Sequence, residues 1–301
     1  MAIATRRPYP VAAEHDSTGR RIWVAFWKFV RTKPLGAAGA VVILLMALAA
    51  IFADFIAPHD PYELNQRLQF HAPNLTYWLG TDEFGRDVLT RLIYGARIAL
   101  FIGLASSFIG ASAGALLGVI SAYLGGKTDL WLQRAMDIVL AFPLLILALA
   151  IVSVLGRSMP NLVLAIAIPV IPRTARIVRA SALSVKENAY VEAARAVGGS
   201  HPQVMLRHIV PNIMAPYLIV LTAQLGSAIL TEASLSFLGL GTAEPTPSWG
   251  LMLSGGAPMY AEKAPWLAIF PGLAISLAVF GFNLLGDSLR DALDPKLRHR
   301  T

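Results

Sequence analysis

The feature that most constrains this chain is a series of apolar runs, each long enough to cross a bilayer as a helix of roughly 20 residues. Backbone N–H and C=O groups inside lipid have no water to bind, so such a run must satisfy its own hydrogen bonds as a helix. Apolar residues make up 56% of the 301 residues and charged residues only 14%, which leaves too little polar surface for a soluble domain of this length. The sequence therefore predicts an all-α polytopic membrane protein.

Six transmembrane helices are expected from the lengths and spacing of these runs. Glycine, alanine and serine crowd the second run, and such small residues let helix backbones approach closely in lipid. Pro169 and Pro172 predict a kink in the fourth. The predicted spans are Leu35–Ile56, Ala96–Leu124, Leu130–Leu155, Asn161–Val178, Asn212–Glu232 and Pro265–Leu285.

Lysine and arginine are concentrated in the N-terminal tail, in the segment that follows the fourth span and in the C-terminal tail. The positive-inside rule then predicts that these three segments, and with them both termini, are cytoplasmic. Trp23, Phe26, Trp27 and Val30 share one face of the basic segment Arg20–Lys33, which predicts an interfacial helix that contacts membrane lipid. Because the basic residues collect in particular loops, the formal charge of +7 does not indicate a nucleic-acid partner.

A polar segment between the fourth and fifth spans carries explicit helix signals. Ser184 with Glu187, and Ser200 with Gln203, fit capping boxes that start two helices. The first helix is expected to start at Ser184 and to continue through Tyr190–Val197, where Gly198 and Gly199 then favour a helix end, and the second runs to about His208. Pro211 and Asn212 would open the fifth span. The sequence thus predicts two short helices joined by a glycine turn.

The first of these helices combines an alanine face with a carboxylate and a guanidinium. Ala193, Ala194 and Ala196 allow another protein to come close, while Glu192 and Arg195 fix its position through charged hydrogen bonds. This pattern favours a docking surface for a cytoplasmic partner. An amphipathic loop lying on anionic headgroups is the alternative.

Sites for metals, nucleotides and covalent catalysis are not indicated. The chain has no cysteine, and its six histidines show no metal-ligand spacing. Gly126-Lys127-Thr128 resembles the end of a phosphate-binding loop, but Ser121 replaces the earlier glycine that such a loop requires. No enzyme activity, metal or bound cofactor is therefore expected for this chain.

Ionisable side chains inside spans are costly and are functional candidates by default. Asp137 in the third span and Glu232 near the end of the fifth are candidates for lining a substrate pathway, with a hydrogen bond to a neighbouring helix as the alternative. Asp54 and Asp287 lie near helix ends, where an interfacial position suffices.

Several stretches resemble one family of transporters. Glu192-Ala193-Ala194, then Gly198, then Ile209-Val210-Pro211 resembles the EAA loop of permeases from ATP-binding cassette (ABC) importers. Three further stretches are similar to the C-type subunit of the dipeptide/oligopeptide permease family: Leu79–Leu100, Leu230–Gly241 and Asn283–Pro295.

The resemblance implies an ABC type I importer permease fold with an N-terminal interfacial helix, in the inner membrane of a bacterium. It implies a second permease subunit, two cytoplasmic ATPases that use ATP and Mg²⁺, and an extracytoplasmic substrate-binding protein. Glu192, Ala193, Ala194, Arg195, Gly198, Ile209 and Pro211 would couple to the ATPases. The expected parts are a cytoplasmic tail 1–34, a first span with its outer loop 35–95, a permease domain 96–288 that contains the coupling loop 184–211, and a tail 289–301.

Di- and oligopeptides are the substrates that this resemblance favours. A nickel complex, glutathione or a sugar is the alternative within the same family. A secondary transporter working alone is a different class, and it would show inverted repeats and broken helices at mid-membrane. A membrane-embedded enzyme is disfavoured because no catalytic constellation is evident.

Overall fold

The computed structural model of the chain describes Trp27, residues 30–260 and residues 262–293. Most of the predicted interfacial helix Arg20–Lys33 lies outside these residues, and so does the basic C-terminal tail beyond residue 293. Helices form the regular structure of the described part, whose only strand-like feature is an isolated bridge between Thr81 and Asp87.

Eleven α-helices follow one another along the described residues. A 3₁₀ turn at Gln66–Leu68 lies in the long loop between α2 and α3, and a π-helical segment Met205–Ile209 with a 3₁₀ segment Val210–Ile213 joins α8 to α9. The helices are α1 Pro34–Ile51, α2 Ala53–Ile56, α3 Val88–Leu124, α4 Gly126–Leu140, α5 Leu144–Leu155, α6 Met159–Lys186, α7 Ala189–Ala196, α8 His201–Val204, α9 Met214–Phe237, α10 Trp249–Tyr260 and α11 Trp266–Leu293.

Five helical segments of the described residues are long and apolar enough to cross a membrane alone. A sixth crossing exists only if α4 and α5 count as one span, and these two helices are bent by 90°. The predicted third span, Leu130–Leu155, is therefore divided into two helices between Leu140 and Leu144, and its first helix begins earlier, at Gly126. The physical reason is Pro143, which lacks an N–H and disfavours a helical conformation at Phe142 before it.

The fourth predicted span is longer than expected. Helix α6 passes through Pro169 and Pro172 and continues to Lys186, eight residues beyond the predicted end at Val178. The kink at the two prolines remains a prediction. Because α6 extends this far, Arg173, Arg176 and Arg179 belong to a membrane-length helix and not to the loop that follows it.

Helices α3 and α6 pack with their backbones in direct contact. A Cβ atom added at Gly110, Gly114 or Gly118 would lie 2.7, 2.6 and 2.5 Å from the carbonyl oxygens of Ala167, Ile171 and Ala175. These three glycines are spaced four residues apart and therefore lie on one face of α3. Only glycine permits this separation, so the close packing predicted for the second span is present, and α6 is its partner.

The end of the bundle opposite to α7 is closed by an ordered loop region. Trp266 donates from its indole nitrogen to the Thr81 carbonyl oxygen at 3.1 Å, and Trp249 donates to that of Leu92 at 2.9 Å. The buried Arg91 guanidinium donates to the carbonyl oxygens of Pro61 and Pro245, at 3.0 and 3.3 Å. Helix α10 lies in this region and was not expected, because Gly255, Gly256 and Pro258 argue against a helix in the sequence.

The two ends of the described chain meet at the α7 end. Lys33, just before α1, donates to the Asp291 carboxylate near the end of α11 at 2.5 Å. Helix α1 also packs against α11 along its length, where a Cβ at Gly39 would lie 2.6 Å from the Gly281 carbonyl oxygen. The residues nearest the two termini therefore lie on the same side of the bundle, as six crossings require.

The glycine contact predicts a large difference between two glycine substitutions. Gly114→Val should destabilise the protein by about 1–3 kcal/mol, because its side chain would have to displace the α6 backbone. Gly272→Val is the matched control, since Gly272 is also helical and a Cβ there would have nothing within 4 Å. Thermal unfolding in detergent should show a clear loss for Gly114→Val only. Equal melting temperatures for both variants would contradict the packing.

Candidate functional site

The polar segment after α6 starts differently from the expectation. Helix α6 runs to Lys186, so Ser184 lies inside it and Glu187 is its C-cap residue. The predicted capping box at Ser184 and Glu187 is therefore wrong. Asn188 marks the boundary instead, because its side-chain nitrogen donates to the Val185 carbonyl oxygen at 3.0 Å and its backbone precedes the first residue of α7.

The end of α7 is a Schellman motif built on the paired glycines. The Gly199 N–H donates to the Ala194 carbonyl oxygen at 3.0 Å, and the Gly198 N–H donates to that of Arg195 at 2.9 Å. Gly198 has φ +86°, the left-handed conformation that this motif requires and that L side chains resist. The predicted glycine turn between two helices is confirmed.

The second helix begins as expected and ends differently. Ser200 is the N-cap residue of α8, although its side chain makes no capping hydrogen bond. The chain then stays helical through the π and 3₁₀ segments into α9, so the predicted start of a new span at Pro211-Asn212 is wrong. Pro211 lies in the 3₁₀ segment, inside this continuous helical path.

Apolar side chains fix this segment to the ends of α3 and α6. Val191 of α7, Val204 of α8 and Ile209 of the π segment are each fully buried. They pack in one cluster with Val119 of α3 and Val178 of α6. Burial of such side chains contributes about 1.5–3 kcal/mol each, so the segment is held as part of the bundle.

Tyr123 at the end of α3 forms a second, polar attachment. Its hydroxyl is joined to His201 Nδ1 by a hydrogen bond of 3.0 Å, and the Arg195 guanidinium lies over its ring at 4.6 Å from the centroid. Lys186 Nζ donates to the carbonyl oxygens of Ala122 and Tyr123 at 3.0 and 2.8 Å, which satisfies groups that the end of α3 leaves unpaired.

The opposite face of α7 is exposed. Glu192, Ala193 and Gly198 are all exposed, and the Val197 side chain is 86% exposed. Glu192 forms no ion pair or hydrogen bond through its side chain with the described residues. We name the exposed part of 192–198 the α7 face.

The other predicted coupling residues lie in different surroundings. Ala194 is half-buried, and Arg195 is exposed although it contacts Tyr123. Ile209 is buried in the cluster beneath the helices, whereas Pro211 is exposed.

The two predicted pathway carboxylates are not brought together. Asp137 lies close to the bend between α4 and α5, is 42% exposed and accepts a hydrogen bond from Arg176 of α6. Glu232 is 1% exposed and accepts a hydrogen bond of 2.7 Å from the Ser236 hydroxyl in its own helix. The first carboxylate thus links two helices at the surface of the subunit, and the second is enclosed in its interior.

Sequence analysis missed a third carboxylate, Asp129 in the first turn of α4. Arg179 Nε donates to it at 2.7 Å, and the Arg179 terminal nitrogen and the Ser121 hydroxyl also donate to it. The sequence did contain one indication of such a contact. The spacing of Arg173, Arg176 and Arg179 places three arginines on one face of a helix, where they need carboxylate partners. The Asp129 contact ties α3, α4 and α6 together close to Tyr123.

Asp54 has a structural partner on α3. Arg97 donates to it at 2.8 Å and Tyr94 donates at 2.7 Å. The hydrogen bond from Arg97 lowers the pKa of the Asp54 carboxyl below its ordinary value. This exposed cluster connects α2 to α3.

Membrane-length helices that carry an anchored helical segment with an exposed face at one end define a multi-pass membrane protein of the permease class. A model of the family described as binding-protein-dependent transport system inner membrane component matches residues 114–299. A second, the N-terminal transmembrane domain of oligopeptide transport permease C, matches residues 22–73. The chain belongs to this family of importer permeases, and its resemblance to ABC importer permeases is confirmed.

Curated relatives extend the match over almost the whole chain. The dipeptide transport system permease protein DppC of Alkalihalophilus pseudofirmus is 40% identical over 98% of this chain and 97% of that protein. A putative peptide transport system permease protein of Brucella suis is 44% identical over 86% and 87% of the two chains. The glutathione transport system permease protein GsiD of Escherichia coli is 43% identical over 93% and 92%.

The Schellman motif predicts a local effect of Gly198→Ala. The left-handed conformation costs an L residue about 1–2 kcal/mol, so amide exchange over residues 190–200 should speed up by about tenfold. Gly198→Asn should have a smaller effect, because asparagine tolerates this conformation better. Hydrogen exchange followed by mass spectrometry measures both.

Gly156→Ala is the matched control. Gly156 has φ +87° and, like Gly198, nothing within 4 Å of an added Cβ, but it lies at the other end of the bundle between α5 and α6. It should leave exchange over residues 190–200 unchanged. Wild-type exchange in Gly198→Ala would show that the turn does not depend on its glycine.

Proposed function

We propose that this permease imports short peptides, and that the α7 face is where a partner ATPase docks. The observation that carries the proposal is the asymmetry of α7. One side is fixed to the bundle by Val191 and by the contact between Arg195 and Tyr123, while Glu192 and Ala193 on the other side are exposed. A surface that is rigid beneath and open above suits a partner that must exert force on the membrane helices.

The attachment of the α7 face supports a mechanism of coupling. Helix α7 packs on the ends of α3 and α6 through Val191, and α8 continues into α9 without a break in the helix. A partner that displaces α7 therefore displaces three membrane-length helices together. ATP and Mg²⁺ would be bound and used by two cytoplasmic ATPase subunits, and this chain would supply the mechanical contact.

The remaining partners follow from the two ends of the bundle. Lysines and arginines at the α7 end support a cytoplasmic position for it, with both termini on that side and the chain in the bacterial inner membrane. The ordered region at the opposite end, which contains α10 and residues 57–87, would then face the substrate-binding protein. A second permease subunit would complete the translocation pathway.

The same arrangement, with a cytoplasmic coupling loop between membrane helices, leads to a division of the chain into parts. We propose a permease domain over 96–288 that contains the coupling loop 184–211, preceded by the tail 1–34 and the segment 35–95 and followed by the tail 289–301. The family models support the division only in part, because they match residues 22–73 and 114–299.

Peptides are the substrate class that the relatives support. Their names specify dipeptide, peptide and glutathione transport. Within the pathway, Asp137 is a proposed substrate-facing residue because it is partly exposed at the bend between α4 and α5. For Glu232, a pathway role remains a proposal, and its burial favours a contact inside the subunit.

Two changes of charge on the α7 face, a reversal at Glu192 and an added carboxylate at Gly198, test the coupling proposal. Glu192→Lys and Gly198→Asp should abolish ATP-dependent peptide uptake in proteoliposomes and should release the ATPases during purification of the complex. Glu63→Lys is the control, since Glu63 is equally an exposed glutamate but lies in the loop at the opposite end. It should retain the ATPases. Normal uptake and normal ATPase assembly in both α7 variants would overturn the docking proposal.

A further inference from the structure

A cleft of about 510 Å³ lies between α6, α9 and α11. Its walls are largely apolar, formed by side chains that include Ile177, Ile219 and Val220. Two arginines, Arg173 of α6 and Arg290 of α11, also line it. Ligand sites for small molecules have this size and this combination of apolar walls with a few polar groups.

Arg173 lies deep within its helix. It is 14 residues after Met159 and 13 before Lys186, the two ends of α6. At 1.5 Å per residue this is about 20 Å from either end of the helix, and about 9 Å farther than Arg179 from the end at Lys186. An arginine inside a membrane-length helix is costly unless it is paired or faces a water-filled space, and it is a functional candidate by default.

Arg173 differs from its neighbours in having no counter-ion. Arg176 is paired with Asp137 and Arg179 with Asp129. Arg173 and Arg290 form no ion pair or hydrogen bond with the part of the chain that the structure describes, and no carboxylate is among the described residues that line the cleft. The cleft therefore presents positive charge that the subunit itself does not neutralise.

Gln224 adds a neutral donor to the same cleft. Its side chain is 5% exposed, and the Ser227 hydroxyl donates to its side-chain oxygen at 2.9 Å. The amide nitrogen of Gln224 has no hydrogen-bond partner among the described residues. An amide donor without a hydrogen-bond partner, together with a guanidinium that has no counter-ion, is suited to a carboxylate.

We propose that this cleft binds the carboxylate of a peptide in transit. Arg173 donates to the carboxylate, Gln224 supplies a further hydrogen bond, and the apolar wall accommodates the peptide's side chains. Arg290, in the last turn of α11, lies at the α7 end of the cleft and offers the next positive charge along the route. A lipid headgroup could supply an anion of the same charge, and the vesicle comparison below separates these two sources. This inference rests on the proposed function, peptide import.

The absence of cysteine from the chain permits a test by chemical charge replacement. The complete complex carrying Arg173→Cys is reconstituted with its partner subunits and the binding protein, and uptake of labelled dialanine and ATP hydrolysis are measured. Uptake should fall by about tenfold or more, the effect of losing a charged hydrogen bond, while ATP hydrolysis continues. Aminoethyl methanethiosulfonate, which restores a positive charge, should recover uptake, and the sulfonatoethyl reagent should not.

Three controls distinguish an effect at the cleft from effects on partner cysteines, on other arginines and on charged lipid. Wild-type complex treated with both reagents controls for cysteines in the partner subunits. Arg157→Cys is the matched variant, because Arg157 is exposed just before the other end of α6 and should give normal uptake. Vesicles of phosphatidylcholine alone are compared with vesicles that also contain phosphatidylglycerol. If the Arg173→Cys complex does not assemble, Arg173→Gln, which removes the charge, replaces it and should show reduced uptake with intact ATP hydrolysis.

The outcomes are distinguishable. If the wild-type complex hydrolyses ATP but imports no dialanine, the proposed function fails. If it imports dialanine and Arg173→Cys, or Arg173→Gln in its place, imports equally well, only the carboxylate site fails. Recovery by both reagents alike, or no modification by either, would also overturn the site. An effect confined to vesicles with phosphatidylglycerol would assign the anion to lipid and reject the proposal.

Discussion

The contact on which the rest of this structure depends is the backbone packing of α3 against α6. Gly110, Gly114 and Gly118 bring the two helices so close that no side chain fits between them. Helix association in lipid gains little from the hydrophobic effect, so close contact of this kind is the main source of specificity. Towards the same end of the bundle, Tyr123 of α3 and Val178 of α6 belong to the buried cluster that also contains Val191 of α7 and Val204 of α8.

Helix α6 also carries three arginines whose partners differ. Its three arginines share one face, and each has a different environment. Arg179 holds the start of α4 through Asp129, Arg176 holds the region of the α4–α5 bend through Asp137, and Arg173 lines the cleft. In α6, Arg176 and Arg179 therefore form structural ion pairs, whereas Arg173 has no counter-ion among the described residues. The three arginines differ because α4 supplies a carboxylate to two of them and no helix that the structure describes supplies one to Arg173.

Much of the fold could be predicted from the sequence, because apolar length and small-residue content act locally. Gly198 was predictable for the same reason, since a glycine pair after an alanine-rich segment favours a helix end. The 90° bend before α5 was not predicted, although Pro143 is a local signal for it. Helix α10 and the start of α7 were not predicted because the structure there goes against the local signals. Ser184 has good capping chemistry, yet α6 continues past it. The enclosure of Glu232 and the cleft beside Arg173 depend on neighbouring helices that the sequence does not identify.

The uninterrupted helical path from His201 to Phe237 has a consequence for how movement crosses the bilayer. With 37 residues it is about 55 Å long, more than the thickness of the hydrocarbon layer. A tilt of about 10° around its midpoint would displace each end by about 5 Å in opposite directions. A pivot of this one helical path can therefore open the translocation pathway at one membrane surface while it closes the pathway at the other. No separate gate is then needed at either surface.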